Sequence, residues 1–271
     1  MHIQFWGVRG SIAVSDPRAV RTGGNTPCVE LRCEGETLIL DGGTGLRALG
    51  AARGAPLRAA IAFSHVHWDH IQGVPFFGPL YHPGSEITLL GAERDSGDLR
   101  DALSAQMRPP RFPIGLDALS ARPTFAGLDP LVPYEYGPFR ITSVDLDHPD
   151  GVRALRIEAG GRTVIYATDV EHGDTIDERL VRLADGADLL IHDAQYLDDE
   201  YHGRTGPGRR GWGHATVEQA TEVARRAGVD LLALFHHDPS RTDPEVEALE
   251  ALARQRWSRT FAAREGEPLG L

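Results

Sequence analysis

The chain has 271 residues, 41% of them hydrophobic and 25% charged, enough apolar material for one large domain or two fused halves; neither a disordered nor a fibrous protein has this composition. A net charge of −11 weighs against the basic face that extended nucleic acid needs, but a small anion held beside bound cations stays open. No window of about 18 uninterrupted apolar residues offers a membrane span; the N-terminus lacks a basic start and apolar stretch, and just two cysteines occur, so a cytoplasmic location is expected.

Taken in chain order, the first half is dominated by short β-rich runs at 3–8, 28–33, 37–40 and 59–63. Further runs follow at 86–90, 139–146, 154–158, 163–166, 188–191 and 230–235. Several are continuous apolar stretches bounded by Gly, Asp or Pro, the pattern of strands buried on both faces. Cys28 and Cys33 sit in the second run with odd spacing, so they should point to opposite faces, and no disulfide is expected. Residues 44–52 suit a short helix. Residues 95–125, with Pro109, Pro110, Pro113 and Pro123, read as an inserted lid or rim on an otherwise single domain spanning 1–271.

Two helices are clear late in the chain. Thr216-Val217-Glu218-Gln219 forms a capping box, Val217, Ala220, Val223, Ala224 and Ala227 make one apolar face, and Gly228 supplies the stop. Asp243-Pro244 supplies a cap and a first-turn proline for a second helix, with Val246, Leu249 and Leu252 facing inward. Strands and helices interleave without a dinucleotide-binding fingerprint. The class is α/β or α+β, with helices covering a pair of sheets.

The segment His65-Val66-His67-Trp68-Asp69-His70 carries the functional argument. An apolar strand runs into it, and in extended chain His65 and His67 project to the same side. Three imidazoles and a carboxylate within six residues are the ligand types zinc prefers. More candidates follow at the ends of later strands: His148 after 141–147, Asp169 after 164–168 and His236 after 231–235. Together they supply the ligands that a two-metal site needs.

These residues resemble the metallo-β-lactamase superfamily, whose hallmark is His-x-His-x-Asp-His after a strand. The likeness extends over nearly the whole chain to the ribonuclease Z and cyclic nucleotide phosphodiesterase branch. It is carried by Gly7-Val8-Arg9-Gly10-Ser11, Asn25-Thr26, Leu40-Asp41-Gly42-Gly43, His214-Ala215-Thr216 (with Ala where the branch has Ser) and Leu234-Phe235-His236. The resemblance implies an αββα sandwich: two mixed β-sheets packed face to face with helices on the outer faces. It also implies that His65, His67 and His148 hold one divalent metal and Asp69, His70 and His236 another. Asp169 would bridge the two metals, with a hydroxide on the opposite side. His237 stands beside His236, and sequence leaves the choice between them open, with His236 favoured because it aligns with the family ligand. Zinc suits His and Asp ligands, with manganese or iron as alternatives.

Two divalent ions can activate water at neutral pH and clamp an anionic substrate. The resemblance makes His214 the proton donor to the leaving alkoxide, Asp193 its orienting partner, and Asp41 a support for the ligands. Asp69, His214 and Asp193 are thus the expected catalytic residues. The other histidines (His2, His82, His172 and His202) read as surface or locally satisfied groups, His192 should point away from the side of Asp193, and Trp68 reads as packing or as a base-stacking ring.

The first expectation is therefore a binuclear phosphodiesterase acting on a small or cyclic phosphodiester, a cyclic nucleotide favoured, with a homodimer implied by the resemblance alone. The alternative is a ribonuclease Z-like endoribonuclease processing tRNA precursors; against it, no Gly/Pro-rich basic arm is evident, and 95–125 carries Asp95, Asp98, Asp101 and Asp117 among its arginines. A lactonase, thioesterase or β-lactamase, and a non-enzymatic metal-bound ligand sensor, rank below these.

Overall fold

A computed structural model describes residues 1–92, 99–130 and 132–271. The first sheet is built from β1 (His2–Gly7), β2 (Cys28–Cys33), β3 (Glu36–Leu40), β4 (Arg58–Ala62), β5 (Glu86–Gly91) and β6 (Thr124–Gly127). The second takes β7 (Tyr134–Tyr136), β8 (Phe139–Leu146), β9 (Val152–Ala159), β10 (Arg162–Ala167), β11 (Leu189–Asp193), β12 (Leu231–Phe235) and β13 (Thr260–Ala262). The last strand, β14 (Pro268–Gly270), returns to pair with β1, giving the orders β14-β1-β2-β3-β4-β5-β6 and β13-β12-β11-β10-β9-β8-β7. Each sheet is mixed. Strands β3 to β6 run parallel, as do β10 to β13, and the remaining pairs are antiparallel.

Alternating side chains explain the continuous apolar runs. Leu38 and Leu40 of β3 join Val164, Tyr166, Leu189 and Ile191 in the core between the sheets. Ile39, between them, turns outward to α1 (Gly45–Arg53) through Leu46 and Leu49. On the far face, Ile165, Leu190 and Leu232 pack under α6 (Val217–Ala227) and α7 (Asp243–Arg256). Both faces of the central strands are therefore dry, and the layers are helix, sheet, sheet, helix. Cys28 lies in the outer cluster and Cys33 against the inner one, both as free thiols.

The smaller elements depart from expectation. The helix α2 (Trp68–Ile71) takes up the second half of the histidine motif, α3 (Leu99–Gln106) and β6 occupy ground read as irregular, and α4 (Glu178–Leu183) and α5 (Asp198–Tyr201) were not foreseen. Of the expected lid or rim, residues 95–98, with Asp95 and Asp98, lie outside the described residues; 99–125 packs beside the motif, where the Gln106 amide donates to the carbonyl of Ile71 at 2.9 Å. The cap of α7 is Thr242, one residue before the expected Asp243. The Asp243 carboxylate instead accepts the backbone N–H groups of Arg21 and Thr22, tying the N-terminal loop to this helix.

Candidate metal centre

The site stands where strands of both sheets end. Asp41 follows β3, His65 follows β4, Asp169 follows β10, His236 follows β12, and Asp193 closes β11. Four non-glycine residues here have left-handed backbone: Ser11 (φ 62°), Asp41 (φ 59°), Asp169 (φ 53°) and His236 (φ 57°). Such backbone costs on the order of 1–3 kcal/mol per residue and collects at functional sites.

Two groups of donor atoms converge. Ring nitrogens of His65, His67 and His148 lie within 4.8 Å of one another, and so do donor atoms of Asp69, His70, Asp169 and His236. Asp169 faces both. Its Oδ2 is 3.8 Å from Nε2 of His65 and of His148, and its Oδ1 is 3.3 Å from His70 Nε2 and 3.2 Å from His236 Nε2.

The supporting hydrogen bonds fix which ring nitrogen faces inward. His70 Nδ1 donates to Asp41 Oδ2 at 2.7 Å, His148 Nδ1 to the Gly213 carbonyl at 2.8 Å, and His236 Nδ1 to Gln195 Oε1 at 2.9 Å. In each neutral ring this leaves Nε2 as the acceptor, the form a metal needs. Nε2 of His65 and of His70 is buried without a hydrogen-bond partner. Orphaned buried nitrogens are costly, and cations placed among these donors would satisfy them. The residues therefore fit a pair of divalent ions.

Asp41 organises the closed side of the site. Besides His70, it accepts the Ser64 N–H at 2.7 Å, the Ser64 hydroxyl at 2.8 Å and the Tyr166 hydroxyl at 2.8 Å. Ser11 N–H donates to Asp69 Oδ2 at 2.8 Å. A Cβ on Gly10 would come within 2.5 Å of the His236 ring, so this turn requires glycine. Ser64, Tyr166 and Gln195 were missed in the sequence. Gln195 had a readable signal, as it lies two residues past Asp193 at a strand end. Tyr166 had none, being one more apolar-looking residue of β10.

Electrostatics divides the donors. Burial and the neighbouring imidazoles push His65 well below an ordinary histidine, and burial likewise lowers His148. His70 goes the other way: burial opposes its charge, but the carboxylates of Asp69, Asp169 and Asp41 outweigh it and hold the pKa well above the usual value. Asp69 stays ionised in spite of burial because His70 and His236 hold its pKa down.

His214 sits over this floor, its ring stacked 5.0 Å from that of His236 and meeting that of His148 edge-on at 5.6 Å. Its Nδ1 donates to Asp193 Oδ2 at 2.8 Å. Against the effect of burial, Asp193 raises the pKa of His214 to about 9. In the metal-free fold the histidine therefore carries a proton at neutral pH, with Nε2–H directed away from Asp193. Thr216 caps α6 reciprocally with Gln219, which places His214 on the loop leading into the helix.

His237 takes no part. It is buried, its Nε2 donates to the Ala263 carbonyl at 3.0 Å, and burial lowers its pKa to about 3. His192 points away from Asp193's carboxylate and meets His172 with ring nitrogens 3.2 Å apart, which makes His172 a buried partner and not a surface group. Trp68 is 66% exposed, so packing does not explain it.

The profile of the β-lactamase superfamily domain matches residues 37–237, from β3 to the strand-end histidines. The chain belongs to the metallo-β-lactamase superfamily. It is a metal-dependent hydrolase of that superfamily. Among its relatives it is 28% identical to ribonuclease Z of Thermococcus kodakarensis, over 78% of each chain. It is 26% identical to ribonuclease Z of Natronomonas pharaonis, over 91% of this chain and 92% of that one. Solved structures share the superfamily fold: YhfI of Bacillus subtilis (TM-score 0.75, 21% identity, 99% and 98% of the two chains) and a diphosphatase of the PhnP family (TM-score 0.75, 17% identity, 100% and 97%). The short form of human tRNase Z also aligns, at TM-score 0.65 and 22% identity over 100% and 99%.

Proposed function

We propose that the protein is a phosphodiester hydrolase of the ribonuclease Z kind, cleaving RNA. The observation that carries this is the buried His214–Asp193 pair lying over two adjoining groups of metal-type donors. His65, His67 and His148 would hold one ion and Asp69, His70, Asp169 and His236 the other, with Asp169 shared. Bound divalent ions would supply activated water and offset the charge of a phosphodiester. The protein's own residues do the rest. Asp41, Gln195 and the Gly213 carbonyl hold the imidazoles in the metal-binding tautomer. Asp193 keeps His214 protonated, so that its Nε2–H can neutralise the leaving alkoxide.

The ribonuclease Z relatives support RNA over the cyclic nucleotide that the sequence had ranked first. The objection from net charge weakens at the surface. Arg100, Arg108 and Arg122 line a cavity of about 560 Å³ in 99–125, with Asp117 the one acidic side chain among its described lining residues. A count of charges along the segment hides this clustering. The second reading, a small cyclic phosphodiester, draws on the resemblance to the phosphodiesterase branch.

Metal analysis of the purified protein is expected to give about two divalent ions per chain, as a two-metal site requires; none after reconstitution would overturn the proposal. With metals retained, His214→Ala is expected to lower kcat on an activated phosphodiester by about 10²–10⁴. Unchanged turnover would remove the acid role. Precursor tRNA tested beside cyclic mononucleotides separates the two substrate readings.

A further inference from the structure

Between α5 and His214 runs Gly203-Arg204-Thr205-Gly206-Pro207-Gly208-Arg209-Arg210-Gly211-Trp212-Gly213, a glycine- and arginine-rich loop. Its shape is fixed by Glu171, two residues past Asp169. The Glu171 carboxylate accepts the Tyr201 hydroxyl at 2.5 Å, the Gly211 N–H at 2.7 Å and the Gly213 N–H at 2.8 Å. The Arg209 N–H donates to the Tyr201 carbonyl, and the Trp212 N–H to the Arg209 carbonyl. The loop ends hard against the site: the Gly213 carbonyl accepts a hydrogen bond from His148 Nδ1, and a Cβ on Gly213 would come within 2.2 Å of that ring.

The three arginines of the loop are treated differently. Arg204 pairs with Asp198 and Asp199, and Arg210 makes a double contact with Asp174. Among the described residues Arg209 has no acidic partner and no side-chain hydrogen bond. Its guanidinium lies instead over the rings of Trp212 (4.5 Å) and Tyr196 (5.8 Å), and Tyr196 meets His214 edge-on at 5.9 Å. Trp212 is 53% exposed although it stands one residue from the contact with His148. A guanidinium stacked on aromatic rings keeps its N–H fork free for phosphate oxygens. A half-exposed indole offers a face to a base.

We propose that Arg209 and Trp212 form the subsite for the nucleotide next to the scissile phosphate, Trp212 stacking its base and Arg209 binding the neighbouring phosphate. This rests on the phosphodiesterase reading and adds where the non-reacting part of the RNA is gripped. Tyr196 backs Arg209, and Glu171 positions the loop.

The test uses metal-loaded full-length protein and two substrates, a short single-stranded RNA and the base-free diester methyl 4-nitrophenyl phosphate. Trp212→Ala and Arg209→Ala are each expected to lower kcat/KM on RNA about tenfold, mainly through KM, and to affect the base-free diester about threefold at most. Equal losses on both substrates, or no loss on RNA, would overturn the subsite. A second readout does not depend on cleavage. The RNA is expected to quench tryptophan fluorescence, and Trp212→Phe, which keeps an aromatic ring, is expected to remove most of the quenching. Quenching undiminished in Trp212→Phe overturns the subsite even if the enzyme is active; quenching that is lost in an enzyme cleaving neither substrate supports the subsite and refutes the hydrolytic reading alone.

Discussion

The two donor groups of the site are built on different terms. In the group of Asp69, His70, Asp169 and His236, the side chains of His70 and His236 are wholly closed to solvent, whereas His67 in the neighbouring group is 37% exposed. The closed group is backed by Asp41, Tyr166 and Gln195 from the strands behind it. The open group is bounded by the loop that presents Gly213. Charge follows this division. The closed group gathers carboxylates and raises the pKa of His70, so without a metal that imidazole is itself the compensating cation. In the open group, burial lowers the pKa of His65 and His148. One pocket is therefore part of the fold's internal charge balance, and the other faces the substrate side.

The sharpest way to break this contrast is His70→Ala. Removing the buried cation leaves Asp41, Asp69 and Asp169 facing one another, and metal-free protein should lose about 3–5 kcal/mol in urea denaturation. A loss below about 1 kcal/mol would show that the closed pocket is not held by charge. Asp41→Asn comes next. It keeps the shape but disturbs a carboxylate that accepts from Ser64, His70 and Tyr166, at an expected cost of about 1–3 kcal/mol by the same measurement.

A smaller effect depends on pH. His214 titrates at about 9 in the fold against 6.5 unperturbed. A raised value means that its charge stabilises the fold fully below the unperturbed pKa, and that this contribution is lost as pH rises through the folded one. Thermal melts of metal-free protein should thus lose more stability across that window in the wild type than in Asp193→Asn. Parallel curves would deny the coupling. The smallest change is expected for His67→Ala, whose stability should stay within about 0.5 kcal/mol of wild type because its ring is partly solvated, while metal analysis shows loss from the open pocket.

The legible parts of the sequence were those with a strong period or a rare cluster. The buried central strands announced themselves as apolar runs, α6 through its capping box, and the donors through the histidine motif and the strand ends. The four strands that escaped notice, β6, β7, β13 and β14, are the four sheet edges, three or four residues long. An edge strand pairs on one side and buries little, so neither alternation nor an apolar run marks it. The supports of the site were hidden for a related reason. Ser64, Tyr166 and Glu171 act through contacts that chain folding creates, and their residue types are common everywhere. The sequence reading found no Gly/Pro-rich basic arm and so passed over 203–213, which holds five glycines, one proline and three arginines; the loop carries no periodicity, and its relevance came from Gly213 touching His148.

The left-handed strand ends restrict how this site can change. Asp, Asn and His tolerate that backbone better than most residues, whereas β-branched side chains strain it. Asp and His are also the side chains that coordinate hard and borderline cations. The alphabet permitted by the backbone and the alphabet permitted by metal chemistry therefore nearly coincide at Asp169 and His236. An alanine scan there would mix conformational cost with lost coordination, and Asp169→Asn is the cleaner probe. The same overlap means that drift at these positions is confined to a few letters before any selection on catalysis is applied.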